Sequence, residues 1–303
     1  MGWYRMKNCN LIATIPAMTD LRKVSRIISN PFIYGVRWNT GIVSPYDEYE
    51  TLKIIKEFCE TYNKKFWVDL KGRQLRVIEW GNPLYSAIKL NHSIEVNGPA
   101  TVLLRGEKPL ELVKSMGNEI FINPIPHNAV GAGQSVNILG KDVKINGYLT
   151  DKDKIYIDAC RRLGIKDIMA SFVESISDVV EIKMAHGNCN VVCKIESEKG
   201  IKNIEDLDGL SLMAARDDLY IELQNPYYMN YALHKIIEKD KEAICASRIF
   251  TSLEYSPKIS FSDFEDIENM YSMGFRYFML CDNVCNYVFE EAIKGWEVFI
   301  NER

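Results

Sequence analysis

The 303-residue sequence has no stretch near the roughly 18–20 consecutive apolar residues that a membrane-spanning helix needs. Its N-terminal residues also lack the apolar core of a secretory signal, so a cytoplasmic protein is expected. Neither sign of charge dominates. The 37 Lys and Arg against 41 Asp and Glu leave a net charge of −4, which removes the electrostatic case for a nucleic acid or an anionic membrane as partner. Histidine is scarce: His92, His127, His186 and His234 lie away from most strand-like ends, and no Ser-His-Asp or Cys-His arrangement is evident. Histidine-based catalysis is therefore not expected. Eight cysteines are too few for a disulfide framework in a chain of this length. Cys189/Cys193 and Cys281/Cys285 have a spacing that could suit zinc, but no compact His/Cys set accompanies them. Cys160, Cys193 and Cys245 sit in apolar segments and read as core thiols. There is no internal repeat and no low-complexity tract. Gly131-Ala132-Gly133 precedes no helix, so it is neither a phosphate loop nor a dinucleotide fingerprint.

What is present is ordinary globular composition, 47% hydrophobic and 26% charged, in a chain long enough for one large α/β domain carrying an insertion. Apolar runs at 11–15, 34–38, 66–70, 167–172, 191–196, 209–215, 243–247 and 275–280 read as strands. They alternate with helical patterns at 21–29, 46–62, 151–163, 176–185, 201–207, 227–238, 263–272 and 288–302. Eight such units predict a (β/α)8 TIM barrel, an α/β fold, formed by residues 1–71 and 148–303. Residues 72–147 differ in character. Short β-rich pieces at 93–104, 119–123, 135–138 and 142–145, separated by Gly, Pro and Asn, predict a small lid domain inserted after the third strand.

In a parallel barrel, strand ends are where side chains converge on a ligand. One apolar run delivers Lys194 and Glu196, two apart and so on one face, and the next ends at Arg216, Asp217 and Asp218. Two hard oxygen ligands, Glu196 and Asp218, suit Mg²⁺ or Mn²⁺, while Lys194 neutralises a phosphoryl group or a developing enolate. The alternative is a salt bridge between strand ends. Arg37-Trp38-Asn39 ends the second strand, and Asp69 opens the segment through Arg76 at the end of the third. Arg37 and Arg76 have planar forks that suit phosphate, with plain surface ion pairs as the alternative. Ser247 ends the seventh strand, where a hydroxyl relays a proton, binds a substrate carboxylate or only satisfies a turn. Asn225-Pro226-Tyr227-Tyr228 reads as packing at a helix start.

With these residues in view, the chain resembles the pyruvate kinase family over nearly its full length. The likeness is carried by Leu11-Ile12-Ala13-Thr14-Ile15, Arg37-Trp38-Asn39, Asp69 through Arg76, Ser135-Val136-Asn137-Ile138 and Leu149-Thr150-Asp151-Lys152-Asp153. It continues through Ala170-Ser171-Phe172 with Ser177-Asp178-Val179, Lys194-Ile195-Glu196 with Gly200, Ala215-Arg216-Asp217-Asp218-Leu219, Ile244-Cys245-Ala246-Ser247 and Met279-Leu280. The resemblance implies that Lys194 contacts the transferring phosphoryl group and that Glu196 and Asp218 hold the divalent metal. It also implies that Arg37 and Ser247 border the substrate. The expected reaction is phosphotransfer between phosphoenolpyruvate or pyruvate and a nucleoside diphosphate. A metal-dependent lyase, decarboxylase or other enolate-forming enzyme on a 2-keto acid is the alternative, as is a non-catalytic binding protein on the same scaffold. A homo-oligomer stays open.

The departures are specific. Asn39-Thr40-Gly41-Ile42-Val43 stands where the family has Asn-Phe-Ser-His-Gly, and Leu70 replaces a threonine. Of the family's monovalent-cation ligands only Asn39 and Asp69 remain, leaving a K⁺ site doubtful. Asp217 replaces a glycine where the family's backbone holds the substrate carboxylate, so an added charge is expected to repel that anion or to bind the metal differently. Cys281-Asp282-Asn283-Val284 replaces Ser-Gly-Glu-Thr. The chain ends with the last predicted barrel helix, so allosteric sugar-phosphate control is not expected.

Overall fold

The structure is a computed structural model that describes residues 9–79, 81, 87–223 and 225–301. It contains eight parallel strands: β1 (Asn10–Thr14), β2 (Ile33–Asn39), β3 (Lys65–Leu70), β4 (Asp167–Ala170), β5 (Asn190–Ile195), β6 (Ser211–Ala215), β7 (Ile244–Ala246) and β8 (Tyr277–Met279). They pair in chain order, and β8 returns to β1 to close the barrel. The fold is the predicted (β/α)8 barrel.

The interior is set by the two-residue period of the strands. Ile12, Trp67, Met169, Val192, Met213, Ile244 and Met279, from seven of the eight strands, form one buried cluster. From β2, Tyr34 packs against this cluster, and Gly35 leaves room for its neighbour: a Cβ there would lie 2.5 Å from the Trp67 ring and 2.8 Å from the Lys65 carbonyl oxygen. The large indole of β3 therefore depends on the missing side chain of β2.

Helices α1 (Leu21–Ser29), α2 (Glu48–Thr61), α3 (Asp151–Leu163), α4 (Ile176–His186), α5 (Glu198–Lys202), α6 (Arg216–Glu222), α7 (Tyr228–Lys239), α8 (Phe261–Met273), α9 (Asp282–Tyr287) and α10 (Phe289–Asn301) alternate with the strands. Their starts follow local chemistry. The Asp20 carboxylate accepts from the amides of Arg22 and Lys23, and Ser260 with Asp263 forms a capping box at α8. The helix expected at 201–207 is instead the short α5 followed by a 3-10 turn at Ile204–Leu207. Gly200, whose ideal Cβ would sit 2.9 Å from the Val173 carbonyl oxygen, allows this close approach. Helix α9 was not anticipated from the sequence. Glu302, the last residue of the closing helix as predicted, lies outside the described residues. Among the described residues no helix is long and apolar enough to cross a membrane.

The chain divides into two compact units, Met1–Leu70 with Ile155–Arg303, and Lys71–Lys154. The second has its own core, including Val102, Leu104, Ile120, Val136 and Ile138. Its five-stranded sheet runs in the order Ile88–Lys89, Glu119–Asn123, Leu110–Met116, Ala100–Leu104, Val136–Gly140. Val143–Ile145 pairs with Ile94–Val96 in a separate ribbon, so the single piece expected at 93–104 is two strands in two sheets. Leu110–Met116 was missed by sequence reading. It exposes most of its side chains, so it carries no clean apolar alternation.

Candidate active site

Continuing the inward phase of β1 to β5 by two residues replaces the apolar layer with a polar one, whereas on β6 and β7 the same step reaches Ala215 and Ala246. Ile12 leads to Thr14, Gly35 to Arg37 and Asn39, Trp67 to Asp69, Met169 to Ser171, and Val192 to Lys194 and Glu196. These residues crown the barrel at the carboxyl ends of its strands, and all are buried.

Asp69, fully buried, is the hub. One of its oxygens accepts from Arg37 Nε at 2.8 Å and from Nη2 of the same guanidinium. Its carboxylate also receives Lys194 Nζ at 3.3 Å and Ser171 Oγ at 3.3 Å. Lys194 Nζ donates to Ser171 Oγ at 2.7 Å and lies 3.1 Å from Glu196 Oε1. The other Glu196 oxygen accepts the Phe172 amide at 2.7 Å. That amide is aimed by a left-handed backbone, φ +51° at Phe172, an arrangement a bulky residue adopts only under constraint.

The remaining edge of Arg37 is also engaged. Its Nη1 donates to Thr14 Oγ1 at 3.1 Å and lies 3.7 Å from a carboxylate oxygen of Asp282. Asp282, in the first turn of α9, accepts in addition from Asn39 Nδ2 at 3.2 Å. Asn39 turns its own oxygen to the Gly41 amide, and Thr40 Oγ1 donates to the Asp69 carbonyl. Sequence reading recorded Asp282 only as a departure and assigned no role to Thr14 or Ser171. The two-residue phase finds Thr14 and Ser171, whereas Asp282 sits on a helix with no such signal.

Electrostatics follow from burial and crowding. Burial works against the charge of Arg37 and of Lys194, but the surrounding carboxylates, Asp69 foremost, outweigh it and raise both above their ordinary values. Burial pushes the Glu196 carboxyl up to about 7; Lys194 opposes the rise, and the charges of Asp218 and Asp69 add to it. Two cations, Arg37 and Lys194, thus share the space with four carboxylates, Asp69, Glu196, Asp218 and Asp282. The cluster is short of positive charge.

The aspartate pair of α6 separates. Arg216, Asp217 and Asp218 form the first turn of the helix, so neighbouring side chains point about 100° apart. Asp218 acts electrostatically on Lys194 and Glu196. Asp217 Oδ1 instead accepts from Arg248 Nε at 2.9 Å on the exposed rim. Arg216 stays buried, gripping both Asp266 oxygens at 2.7 and 2.8 Å and the carbonyls of Ala246 and Ser247. Ser247, half-buried at the end of β7, has left-handed backbone, φ +68°, as does Arg248 at +62°.

Arg76 belongs to the second unit, where Gln74 Oε1 receives its Nε and Nη2 and the Gly133 carbonyl receives its Nη1. The expected packing of Tyr227 and Tyr228 is corrected: both are exposed, because α7 buries Ala232, Leu233, Ile236 and Ile237 on its other side. All eight cysteines are free thiols, six of them buried. Cys285 of the x3-spaced couple accepts the Thr14 amide through Sγ at 3.3 Å. Among the described residues, no three of His, Cys, Asp and Glu converge as a metal-ligand set.

Fold and site together define a (β/α)8-barrel protein with a buried lysine–carboxylate centre at the carboxyl ends of its strands. A family model, pyruvate kinase, barrel domain, matches residues 96–290, and the chain belongs to the pyruvate kinase family. Among its relatives is the pyruvate kinase of Sporosarcina psychrophila, 28% identical over 218 residues, covering 67% of this chain and 37% of the relative. That of Borreliella burgdorferi is 26% identical over 309 residues, 90% of this chain and 63% of the relative. That of Geobacillus stearothermophilus is 31% identical over 169 residues, 52% of this chain and 28% of the relative. The chain therefore spans less than two thirds of these curated relatives.

Proposed function

We propose that the barrel carries a pyruvate kinase-like phosphotransferase centre acting on a phosphoenolpyruvate/pyruvate-type acid with a nucleoside diphosphate, assisted by Mg²⁺ or Mn²⁺. The observation that carries this reading is Lys194, held at 3.3 Å from Asp69 and 3.1 Å from Glu196 at the crown of the barrel. The donor set fits a divalent ion. Glu196 and Asp218 are hard oxygen ligands; the charge of Asp218 adds to the cost of charging Glu196, and a bound cation would relieve it. With only two protein carboxylates, the remaining positions fall to water and substrate oxygens. When bound, the metal polarises the acid's oxygens and stabilises enolate charge.

The chain's own residues supply the rest. Lys194, kept charged by its carboxylate neighbours, faces the charge of a phosphoryl group or enolate. Ser171 and Asp69 fix the direction of its ammonium group. Arg37, oriented by Asp69 and Thr14, borders the same space, and Ser247 offers a hydroxyl for a proton or a carboxylate.

One observation favours a second reading. Asp282 already occupies the Nη1 edge of Arg37, where a phosphoryl group would compete with it. A centre that forms the enolate of a 2-keto acid without transferring phosphate has no such competition. A coupled assay with phosphoenolpyruvate and several nucleoside diphosphates, run beside C3 proton exchange of 2-keto acids, separates the two. Metal-dependent turnover in the first supports phosphotransfer, exchange alone supports the second reading, and neither activity rejects both.

A further inference from the structure

The rim between β6 and β7 holds a guanidinium that the centre described above does not use. Arg248 lies one residue beyond Ser247 and is about half exposed. Asp217 Oδ1 accepts from its Nε at 2.9 Å, and its plane lies over the Tyr220 ring, 4.8 Å from the centroid. Asp217 and Tyr220 are one turn apart on α6, so a single helix face presents both groups to the same side chain. One edge and one face of the fork are therefore held, and no described residue hydrogen-bonds Nη1 or Nη2.

The backbone beneath is constrained to present it. Ser247, Arg248 and Phe250 all have positive φ, at +68°, +62° and +56°. Such backbone is costly for a non-glycine residue, which points to a position kept for a purpose. The Arg216 guanidinium, itself clamped by Asp266, braces the turn by donating to the Ala246 and Ser247 carbonyls.

The geometry points to Arg248 as a specificity-determining residue that takes a distal carboxylate of the substrate through its two Nη donors. The preferred substrate is then a 2-oxo or phosphoenol acid carrying a second carboxylate, longer than pyruvate. This rests on reading Lys194, Glu196 and Asp218 as a metal–enolate centre and extends it to substrate choice. The carboxylate follows from charge and shape. Asp217 leaves the pair with no net charge, so it selects a planar monoanion through two parallel hydrogen bonds rather than drawing in a dianion by field. Asp217 accordingly orients Arg248 and spares the acid's own carboxylate the repulsion that its sequence position predicted.

The test compares 2-oxoglutarate with 2-oxopentanoate, which replaces the distal carboxylate by a methyl group. Binding to the whole chain is measured by calorimetry with Mn²⁺ present, with oxalate, an enolate mimic, as reference. The wild type is expected to prefer the diacid by about tenfold or more, the scale of one bidentate charged pair. R248Q should bring the diacid down to the monoacid, R248K should recover only part of the preference, and oxalate should bind all three proteins equally. Oxalate binding without a preference for the diacid, or equal loss of both acids in R248Q, overturns the inference alone. Failure of Mn²⁺-dependent oxalate binding in the wild type overturns the metal–enolate reading and this inference with it.

Discussion

Two ion-paired groups stand at the mouth of this barrel and differ in almost every physical respect. The inner one, Arg37–Asp69–Lys194–Glu196, is built on strands β2, β3 and β5 and is buried throughout. The outer one, Asp217–Arg248, spans α6 and the turn after β7, and both partners are about half exposed. Burial makes the inner charges interdependent, since none has water to fall back on when a partner is lost. The outer pair keeps its water and contributes little to stability. The inner group fixes a geometry, whereas the outer group can be exchanged at small cost, which suits discrimination between substrates.

The largest effect is expected at the hub. D69N leaves Arg37 and Lys194 buried without the carboxylate they share, a change costing about 3–5 kcal/mol by analogy with broken buried pairs. Urea unfolding should show a clearly lower midpoint, and an unchanged midpoint would erase the distinction between the two groups. K194Q is next. It removes the ammonium that faces developing charge and should lower metal-dependent turnover or C3 exchange by roughly 10²–10³-fold, with Mn²⁺-dependent oxalate binding retained. Full activity in K194Q would remove Lys194 from the chemistry.

The pH dependence of the metal-free protein comes third. Glu196 is raised to about 7 in the folded state from an ordinary value of 4.5, so the folded protein holds this proton more tightly than the unfolded chain. Its contribution to stability is therefore complete below about pH 4.5 and is lost as the pH rises through about 7. Thermal midpoints across that window should fall with pH in the wild type, less so in E196Q and less so when Mn²⁺ is added. A wild-type slope equal to that of E196Q would show that burial does not perturb this carboxyl. The smallest effect belongs to the rim. A double-mutant cycle of D217N and R248Q should give a stability coupling under about 1 kcal/mol that fades in high salt. A larger, salt-insensitive coupling would make the outer pair behave like the inner one.

Much of the barrel was legible because its strands are continuous apolar runs closed on both faces, and those runs are local properties of the chain. A charged residue inside such a run is legible too: Asp69 interrupts Phe66-Trp67-Val68 and proves to be the hub. The strand Leu110–Met116 was hidden because little of it is buried. Asp282 was hidden because its role is defined by Arg37 and Asn39, more than 240 residues away in the chain. The pairing of Asp217 with Arg248 was equally invisible, and it redirects a charge that the sequence alone placed against the substrate.

By itself, then, the sequence determined the eight strand–helix units and the shared face of Lys194 and Glu196, because both follow from periodicities of a few residues. Only the tertiary structure decided that Asp69 joins Arg37 to Lys194, and that Asp218 acts on the inner centre while Asp217 turns to the rim. Those outcomes depend on which strands become neighbours and on the phase at which a helix leaves its strand. Both are set by closure of the whole barrel rather than by any segment within it.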